Sequence, residues 1–575
     1  MNTVPDKGHA DTNRDGVLLL RQSHQKLQQT AQALQTVLMS FPCNDNDDDN
    51  NSNDNSNTDD DTNTKRPTTP IIRCQPCQSI AEAEGYRCRC SFQIIIQQQQ
   101  PQVSSDNHPP TTSAVRRRGY YQYAVRENGT AVPLAQDTFN IANWRIQQAM
   151  QQLLTDLNHH HDDDDVTILT QHLTSVTFVT SWDPARSCWV TLHYHVPVSS
   201  SSSSYDKNKE AWMQAAQKLT ERHHWQQLTR RSKGVVWRAR PRRQASSSSS
   251  SSSLSLPPSS SPPDNHQELV VEDTVYLHYN TKVKEWKVSL DKQILATKDH
   301  DDDKNYNNNT SINNNHDNDL HNYKESNIIE VQYVKPESAF AHPNANVMCQ
   351  ALAWMLNRLQ SIVVTTSINN ASSTVDHDGD DDNTHRRHRL TMLELYCGCG
   401  AHTMALMRSG LLKRIVAVEL DERLVQACRY NAKLNANATT TTTTEPDCAL
   451  EIVSQDAGLW STMTNSNNEA AAADSTTTAT STTAATVSGD VSSDTDLVLL
   501  VDPPRQGLDA RVCQMAMKNT QIQHVLYISC GREALVRDLE ILHQIFDVKD
   551  CLLLDLFPQT YSVESLVHLQ RRPSA

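Results

Sequence analysis

The sequence predicts an α/β protein of two parts: a strand-rich α+β lobe over residues 71–330 and a doubly wound sheet-and-helix domain over residues 331–575. Three observations lead there. After Ile328, short apolar runs alternate with segments of helical periodicity, the pattern of parallel strands joined by crossover helices. Before it, runs of period two prevail and helices are few. Through both parts run tracts of nearly pure Asp, Asn, Ser, Thr or Pro, which bury too little apolar surface to offset the entropy of ordering.

Those tracts set the boundaries. Residues 44–70 form an acidic, Asn-rich stretch after an N-terminal segment, 1–43. Residues 199–204, 245–264 and 299–319 interrupt the first lobe, and 371–385, 439–445 and 462–493 the second. All of them, with a shorter tract at 159–165, read as disordered insertions into loops.

Residues 17–40 carry apolar positions at helical spacing and end near Pro42, so the N-terminal segment should be an amphipathic helix. Strands are expected at Tyr86–Gln97, Tyr120–Val125, Thr174–Ser181, Cys188–His195, Val270–His278 and Trp286–Ile294, with a helix at Phe139–Leu157. In the second part, a helix at Asn344–Ser361 precedes a strand at Thr391–Tyr396, a glycine turn and a helix at Ala401–Arg408. A strand at Arg414–Glu419, a helix at Glu422–Asn435 and a strand at Leu450–Ser454 follow, then strands at Leu497–Asp502, Val525–Ser529 and Val548–Phe557.

The formal net charge of −15 argues against a polyanionic partner until the acidic tracts are set aside. Residues 44–64, 162–165, 299–319 and 376–382 together hold 23 Asp and one Lys, so the rest of the chain carries +7. A basic foldable part suits phosphate contacts, and it equally suits an ordinary basic protein with acidic loops. Fourteen Cys with no obvious secretory segment point to a reducing compartment. No apolar stretch is read as long enough to span a membrane, so a soluble intracellular protein is expected, and the polar start with few Arg argues against a transit peptide.

The chemistry concentrates at the ends of the second-part strands. In LELYCGCG, residues 393–400, a strand runs into two glycines that let the backbone approach a ligand before a helix begins. Tight packing alone also explains such a turn. Glu419 ends the next strand in VAVELD, where a carboxylate can take both hydroxyls of a ribose, so an adenosine-containing cofactor is indicated. Asp456, in SQDA after the third strand, is placed either to meet an adenine amine or to cap a helix. LVDPPRQGLD, residues 500–509, puts Asp502 at the end of a buried strand, followed by two prolines that stiffen the turn and then Arg505. Cys530, in LYISCGRE, ends a strand, opens into Gly531 and precedes a helix whose N-terminus should lower its thiol pKa. Glu564 sits in DLFPQTYSVESLV among apolar and hydroxyl side chains, where burial would raise a carboxyl pKa; otherwise it reads as a surface helix Glu.

Taken together, ELYCGCG, VELD, VDPPRQGLD, YISC and DLFPQT..VE resemble the RNA 5-methyluridine methyltransferase family, and most its tRNA (uracil-5-)-methyltransferase branch. The resemblance runs strongly over 331–575, with SAFAHPNANVMCQALAWML, residues 338–356, similar to the family's helix leading to the cofactor site. In the first half it is carried by the helix at 17–40, GYRCRCSFQI at 85–94 and VTLHYH at 190–195. It implies a Rossmann-like class I methyltransferase domain behind an RNA-binding α+β lobe, and transfer of a methyl group from S-adenosylmethionine to carbon 5 of a uridine.

Carbon 5 of uracil is a poor nucleophile, so such an enzyme needs a thiolate to add at carbon 6 and a base to take the carbon-5 proton afterwards. The resemblance assigns these roles to Cys530 and Glu564, and lines the cofactor site with His342, Tyr396, Ala401, Glu419 and Asp502, with Asp456 nearby. Asp502 and Arg505 would contact the base. Relatives acting on exocyclic amines place an aromatic after Asp-Pro-Pro, and Arg505 there points away from that chemistry. The sequence departs from the family at His342, where a Gln is usual, at Gly531, where an Asn is usual, and at Tyr561-Ser562, where a His pair is usual.

The T-loop uridine of tRNA is the implied target, on a monomeric protein that binds neither DNA nor membrane. Ribosomal-RNA methylation and a weakly active RNA-binding folding factor are the other readings. Cys74, Cys77, Cys88 and Cys90 are read as reduced thiols rather than ligands of a metal or iron-sulfur cluster. The stretch RRSKGVVWRARPRR, with Arg230, Arg231, Lys233 and Trp237, could lie along RNA phosphates or be a solubilising loop.

Overall fold

The computed structural model describes residues 9–40, 72–78, 84–98, 119–127, 129–134, 139–159, 163–186, 188–195, 202–229, 270–297, 328–336, 342–371, 389–436, 448–463 and 497–573. The tracts 44–70, 245–264, 299–319 and 439–445, nearly all of 371–385 and 462–493, and the basic stretch around Trp237 lie outside the described residues.

In chain order the strands are β1 (Ile72–Gln75), β2 (Arg89–Gln98), β3 (Gly119–Glu127), β4 (Thr130–Pro133), β5 (Leu173–Thr180), β6 (Cys188–Tyr194), β7 (Val270–Asn280) and β8 (Glu285–Ser289). They continue with β9 (Ile328–Pro336), β10 (Leu390–Leu395), β11 (Leu412–Glu419), β12 (Ala449–Ser454), β13 (Leu497–Val501), β14 (Ile522–Ser529), β15 (Phe546–Leu554) and β16 (Glu564–Arg571).

The chain folds into two compact units. The first collects residues 1–83, 274–334 and 340–575, and the second residues 84–273 and 335–339. This corrects the expected division. The N-terminal helix His9–Ser40 and strand β1 belong to the larger unit, because Leu27 and Leu34 pack into its core and β1 pairs with β15. Residues 274–334, expected in the first lobe, join it too.

The larger unit is built on an eight-stranded sheet of order β1-β15-β16-β14-β13-β10-β11-β12. All its strands are parallel except β16, which runs antiparallel to both β14 and β15. The run from β12 to β15, with its one reversed strand, has the doubly wound, Rossmann-like strand order that the sequence led one to expect. The strand order reverses between β10 and β13, so a crevice opens beyond their carboxyl ends. Strand β13 (LVLLV) is buried at all five positions, as expected of a central parallel strand covered on both faces.

The smaller unit is α+β. Its antiparallel sheet, of order β4-β3-β2-β5-β6, packs Phe92, Tyr123 and Phe178 against Ile146, Met150 and Leu153 of the helix Trp144–His159.

Several elements differ from expectation. The segment Trp286–Ile294 is a strand only to Ser289; Asp291 then accepts the Gln293 N–H at 2.8 Å and starts a helix, Lys292–Thr297. The helix expected from Phe139 begins at Trp144, because Asn143 caps it through the Ile146 N–H at 3.0 Å. Parts of two tracts read as disordered are helical: Asp163 caps Asp164–Thr170, and residues 202–204 open the helix Ser202–Glu221. The helix at 344–361 extends to Ala371. Its stretch Ala345–Ile368 is long and apolar enough to cross a membrane, contrary to the sequence reading, and just over half of it is buried within the protein. Strands β1, β4, β9 and β16 are additional to those expected.

Candidate active site

Strand ends place the candidate residues. Strand β10 runs into Tyr396, β11 ends on Glu419, β13 runs into Asp502, β14 into Cys530, and β16 begins on Glu564. Because β16 is antiparallel to β14, its first residues lie against the end of β14, with Ser565 paired to Ser529. Glu564 and Cys530 thereby sit next to the paired register, one residue beyond it on each strand.

The groups act on one another. The Cys530 thiol is pushed up, first by burial and then by Glu564 and Asp502, while Arg505 works in the opposite direction by charge and a hydrogen bond. The expected lowering by the following helix is therefore outweighed. That helix, Arg532–Leu542, does begin right after Gly531, but two carboxylates and desolvation dominate. Glu564 is 3% exposed, its Oε2 has no hydrogen-bond partner, and burial with the nearby Asp502 raises its carboxyl well above the usual range. It is a strand residue rather than a surface helix Glu.

Gly531 lets two loops touch. A Cβ there would stand 2.5 Å from the Arg505 carbonyl oxygen, so the backbone of the Asp-Pro-Pro-Arg turn passes directly against the loop that follows Cys530. Asp538 secures the same junction. It accepts the Leu508 N–H at 2.7 Å and the Tyr527 hydroxyl at 2.6 Å, tying the helix after Cys530 both to that turn and to β14.

At the β10 and β11 ends, the Glu419 carboxylate accepts the Gly398 N–H at 3.0 Å and the Asp421 N–H at 2.8 Å. This fixes its orientation and leaves lone pairs for hydroxyl donors. Tyr396 adopts a left-handed φ of 66°, and Gly398 and Gly400 follow at 59° and 83°. Beyond Gly398 no atom lies within 4 Å of where a Cβ would stand, whereas at Gly400 a Cβ would strike Cys428 and Met404. Ala401 is the first residue of the helix that follows. An open glycine, an oriented carboxylate and the first turn of a helix fit the adenosine and carboxylate ends of S-adenosylmethionine. Asp456 accepts the Leu459 N–H at 2.9 Å, as a helix cap does, and the Arg511 guanidinium at 3.4 Å, both through Oδ1.

His342 Nε2 lies 3.6 Å from Asp502 Oδ2, and its ring is 5.5 Å from that of His402. His402 escaped the sequence reading. It is buried, its Nε2 has no partner, and burial holds its imidazole down at about 4, so it is neutral at pH 7. The nearest atoms of His342, His402 and Asp502 lie within 4.8 Å of one another, close enough to converge on one ligand. Glu394, also missed, lies buried beneath the glycine turn, bonded by the Thr403 hydroxyl at 2.7 Å. Residue spacing gave no sign of either, because each acquires its setting from a neighbouring element.

Of the four early cysteines, Cys74 and Cys77 lie in the larger unit, where Cys77 Sγ is 3.8 Å from Asp555 Oδ2. Cys88 and Cys90 are buried in the smaller, their thiols pushed up to about 11 and about 12.

Residues 490–572 match the family model of tRNA (Uracil-5-)-methyltransferase. The tRNA/tmRNA (uracil-C(5))-methyltransferase of Pseudomonas aeruginosa (strain LESB58) is 28% identical over 241 residues, 42% of this chain and 52% of that protein. Its counterpart in Sulfurovum sp. (strain NBC37-1) is 29% identical over 244 residues, 42% and 51% of the two chains. The chain thus spans about half the length of the curated relatives it matches. Among solved structures, the Pyrococcus abyssi tRNA (uracil-54, C5)-methyltransferase in complex with S-adenosyl-L-homocysteine aligns over 95% of this chain and 83% of that one, at 11% identity and a TM-score of 0.40.

Proposed function

We propose, from the premise that residues 490–572 form a tRNA (uracil-5-)-methyltransferase domain, that the chain methylates carbon 5 of a tRNA uridine through a covalent Cys530–uracil adduct resolved by Glu564. One observation carries this reading: a thiol and a buried carboxylate with an unpartnered Oε2 meet at the paired ends of β14 and β16, with Asp502 and Arg505 beside them.

Bound S-adenosylmethionine supplies an electrophilic methyl group on its sulfonium. The protein's own residues do the rest. The Cys530 thiolate adds to carbon 6, and the π electrons move toward the carbonyl oxygen at carbon 4, where Arg505 steadies the negative charge. Asp502 accepts the hydrogen of the ring nitrogen and keeps the base in register. Once carbon 5 has taken the methyl group, the Glu564 carboxylate removes the carbon-5 proton. The carbon 5–carbon 6 double bond then re-forms and the sulfur leaves. Glu419 and the open Gly398 turn hold the adenosine end, and His342 lies on the base side of that site.

Both the thiol and Glu564 must be ionised to act, and both are pushed up in the free protein. Bound base would therefore have to favour the thiolate, through Arg505. The target implied by the resemblance is the T-loop uridine, with the smaller unit gripping the tRNA.

The test is a 5-fluorouridine-substituted tRNA. Fluorine cannot leave carbon 5 as a cation, so the methylated adduct is trapped, and a protein–RNA band that resists denaturation should form with wild type and vanish in Cys530→Ala. Absence of that band with wild type would overturn the mechanism. Mapping 5-methyluridine in cells lacking the protein reads out the target, and loss from ribosomal RNA instead of tRNA would overturn the choice of RNA.

A further inference from the structure

We infer that Lys26, far off in sequence on the N-terminal helix, is a positioning residue that holds the loop delivering Glu564, and so serves proton removal rather than adduct formation. The inference rests on the reading of Glu564 as the base.

The N-terminal helix is anchored through Ser23, Leu27, Thr30 and Leu34, all buried and spaced three or four residues apart on one face. Lys26 lies at the flank of that face, its side chain 12% exposed. Its ammonium donates to the carbonyl oxygens of Phe557 at 3.0 Å, Thr560 at 2.9 Å and Ser562 at 3.1 Å, and pairs with the buried Asp555 carboxylate. These four partners span the connection between β15 and β16, which has no regular secondary structure of its own.

Within the connection, the Thr560 N–H and hydroxyl both return to Phe557 O, and Gln559 adopts a left-handed φ of 65°. From outside it, Asn344 reaches Leu556 O at 3.4 Å. Lys26 is thus the side chain on which three of its carbonyls converge. The last of them belongs to Ser562, two residues before Glu564. Carbonyl oxygens repel one another at such range unless a cation lies between them. An apolar substitute would release the loop and, with it, the aim of the carboxylate. Through this contact the N-terminal helix becomes part of the second half of the reaction.

The adduct with 5-fluorouridine tRNA needs Cys530 and methyl transfer but no base. Release of tritium from [5-³H]uridine tRNA needs the base as well. Full-length Lys26→Met should therefore trap the fluorinated tRNA at the wild-type rate, within about twofold, with an unchanged KM for tRNA. Its kcat for tritium release should fall at least tenfold, and Lys26→Arg should recover part of that loss. Tritium release at the wild-type rate in Lys26→Met, or an equal loss of trapping and release, would overturn the inference. If Lys26→Met fails to fold, Lys26→Gln carries the same test, since a shorter, neutral amide has only two N–H donors for the three carbonyls and should slow release selectively; an unimpaired release would overturn the inference there too. A wild type that traps no tRNA would instead refute the roles of Cys530 and Glu564, so the two failures are distinguishable.

Discussion

Cys530 and Glu564 illustrate how a residue's position and its reactivity are legible to different extents. The strand-end setting of Cys530 was readable from LYISCGRE, because a strand followed by Gly and a helical run fixes where the thiol points. Its reactivity was not, since the carboxylates that raise its pKa arrive from β13 and β16. Activity should accordingly rise with pH through the neutral range and above it, as the thiol and the base ionise, and a kcat/KM profile that falls from pH 7 to 9 would contradict this. Glu564→Gln should stall after methyl transfer, so that a covalent complex with ordinary tRNA accumulates on a denaturing gel while turnover drops by about a hundredfold or more. Glu394 offers a separate test. Burial pushes its carboxyl up to about 8 from the usual 4.5, so it is protonated at pH 7 in the fold but would ionise on unfolding. Its contribution to stability is full below pH 4.5 and is lost as pH rises toward about 8, at no more than about 1.4 kcal/mol per pH unit. Glu394→Gln should flatten the fall in melting temperature between pH 6 and pH 9. Tyr396, an aromatic held at φ 66°, carries local strain of about 1–2 kcal/mol, which Tyr396→Gly would relieve at the expense of the packing of its half-buried ring.

Among the elements, those flanked by strong signals matched the sequence reading closely: the helix Ala401–Arg408 after its glycine turn, and β11, the helix Glu422–Ala436 and β12 in succession. Strand β16 was missed because ESLVHLQR mixes polar and apolar residues without a clear period, and its strand character comes from lying between β14 and β15. Strand β9 is also completed from outside. Asn431 and Asn435 of a neighbouring helix bond both the N–H and the carbonyl of Val334 and Gln332, at 2.7–3.0 Å, doing for that edge what another strand would. The two loops that meet at Gly531 give the element-scale prediction. In Gly531→Ala the new methyl must displace the Arg505 backbone, so trapping of 5-fluorouridine tRNA should slow by about tenfold, roughly 1.4 kcal/mol in barrier, while the far-ultraviolet spectrum is kept.

On the scale of the molecule, the two-part character was visible in the switch from period-two runs to helix-strand alternation, but the seam was not. Nothing in the sequence of the N-terminal helix says that Leu27 and Leu34 complete a core whose other members lie beyond residue 390. Truncation at Val563, which removes β16, should take away the strand that joins β14 to β15 and abolish cooperative melting of the larger unit by circular dichroism. The placement of β16 has a further consequence, in time rather than space. A ribosome makes β16 more than 500 residues after the helix His9–Ser40, with the whole smaller unit emerging in between. At about 5–20 residues per second, the apolar face of that helix waits on the order of half a minute or longer for its partners. During synthesis the nascent chain should therefore be held by whatever binds exposed amphipathic helices, and its soluble yield should fall further on depletion of holding chaperones than that of a protein whose first helix packs against its second.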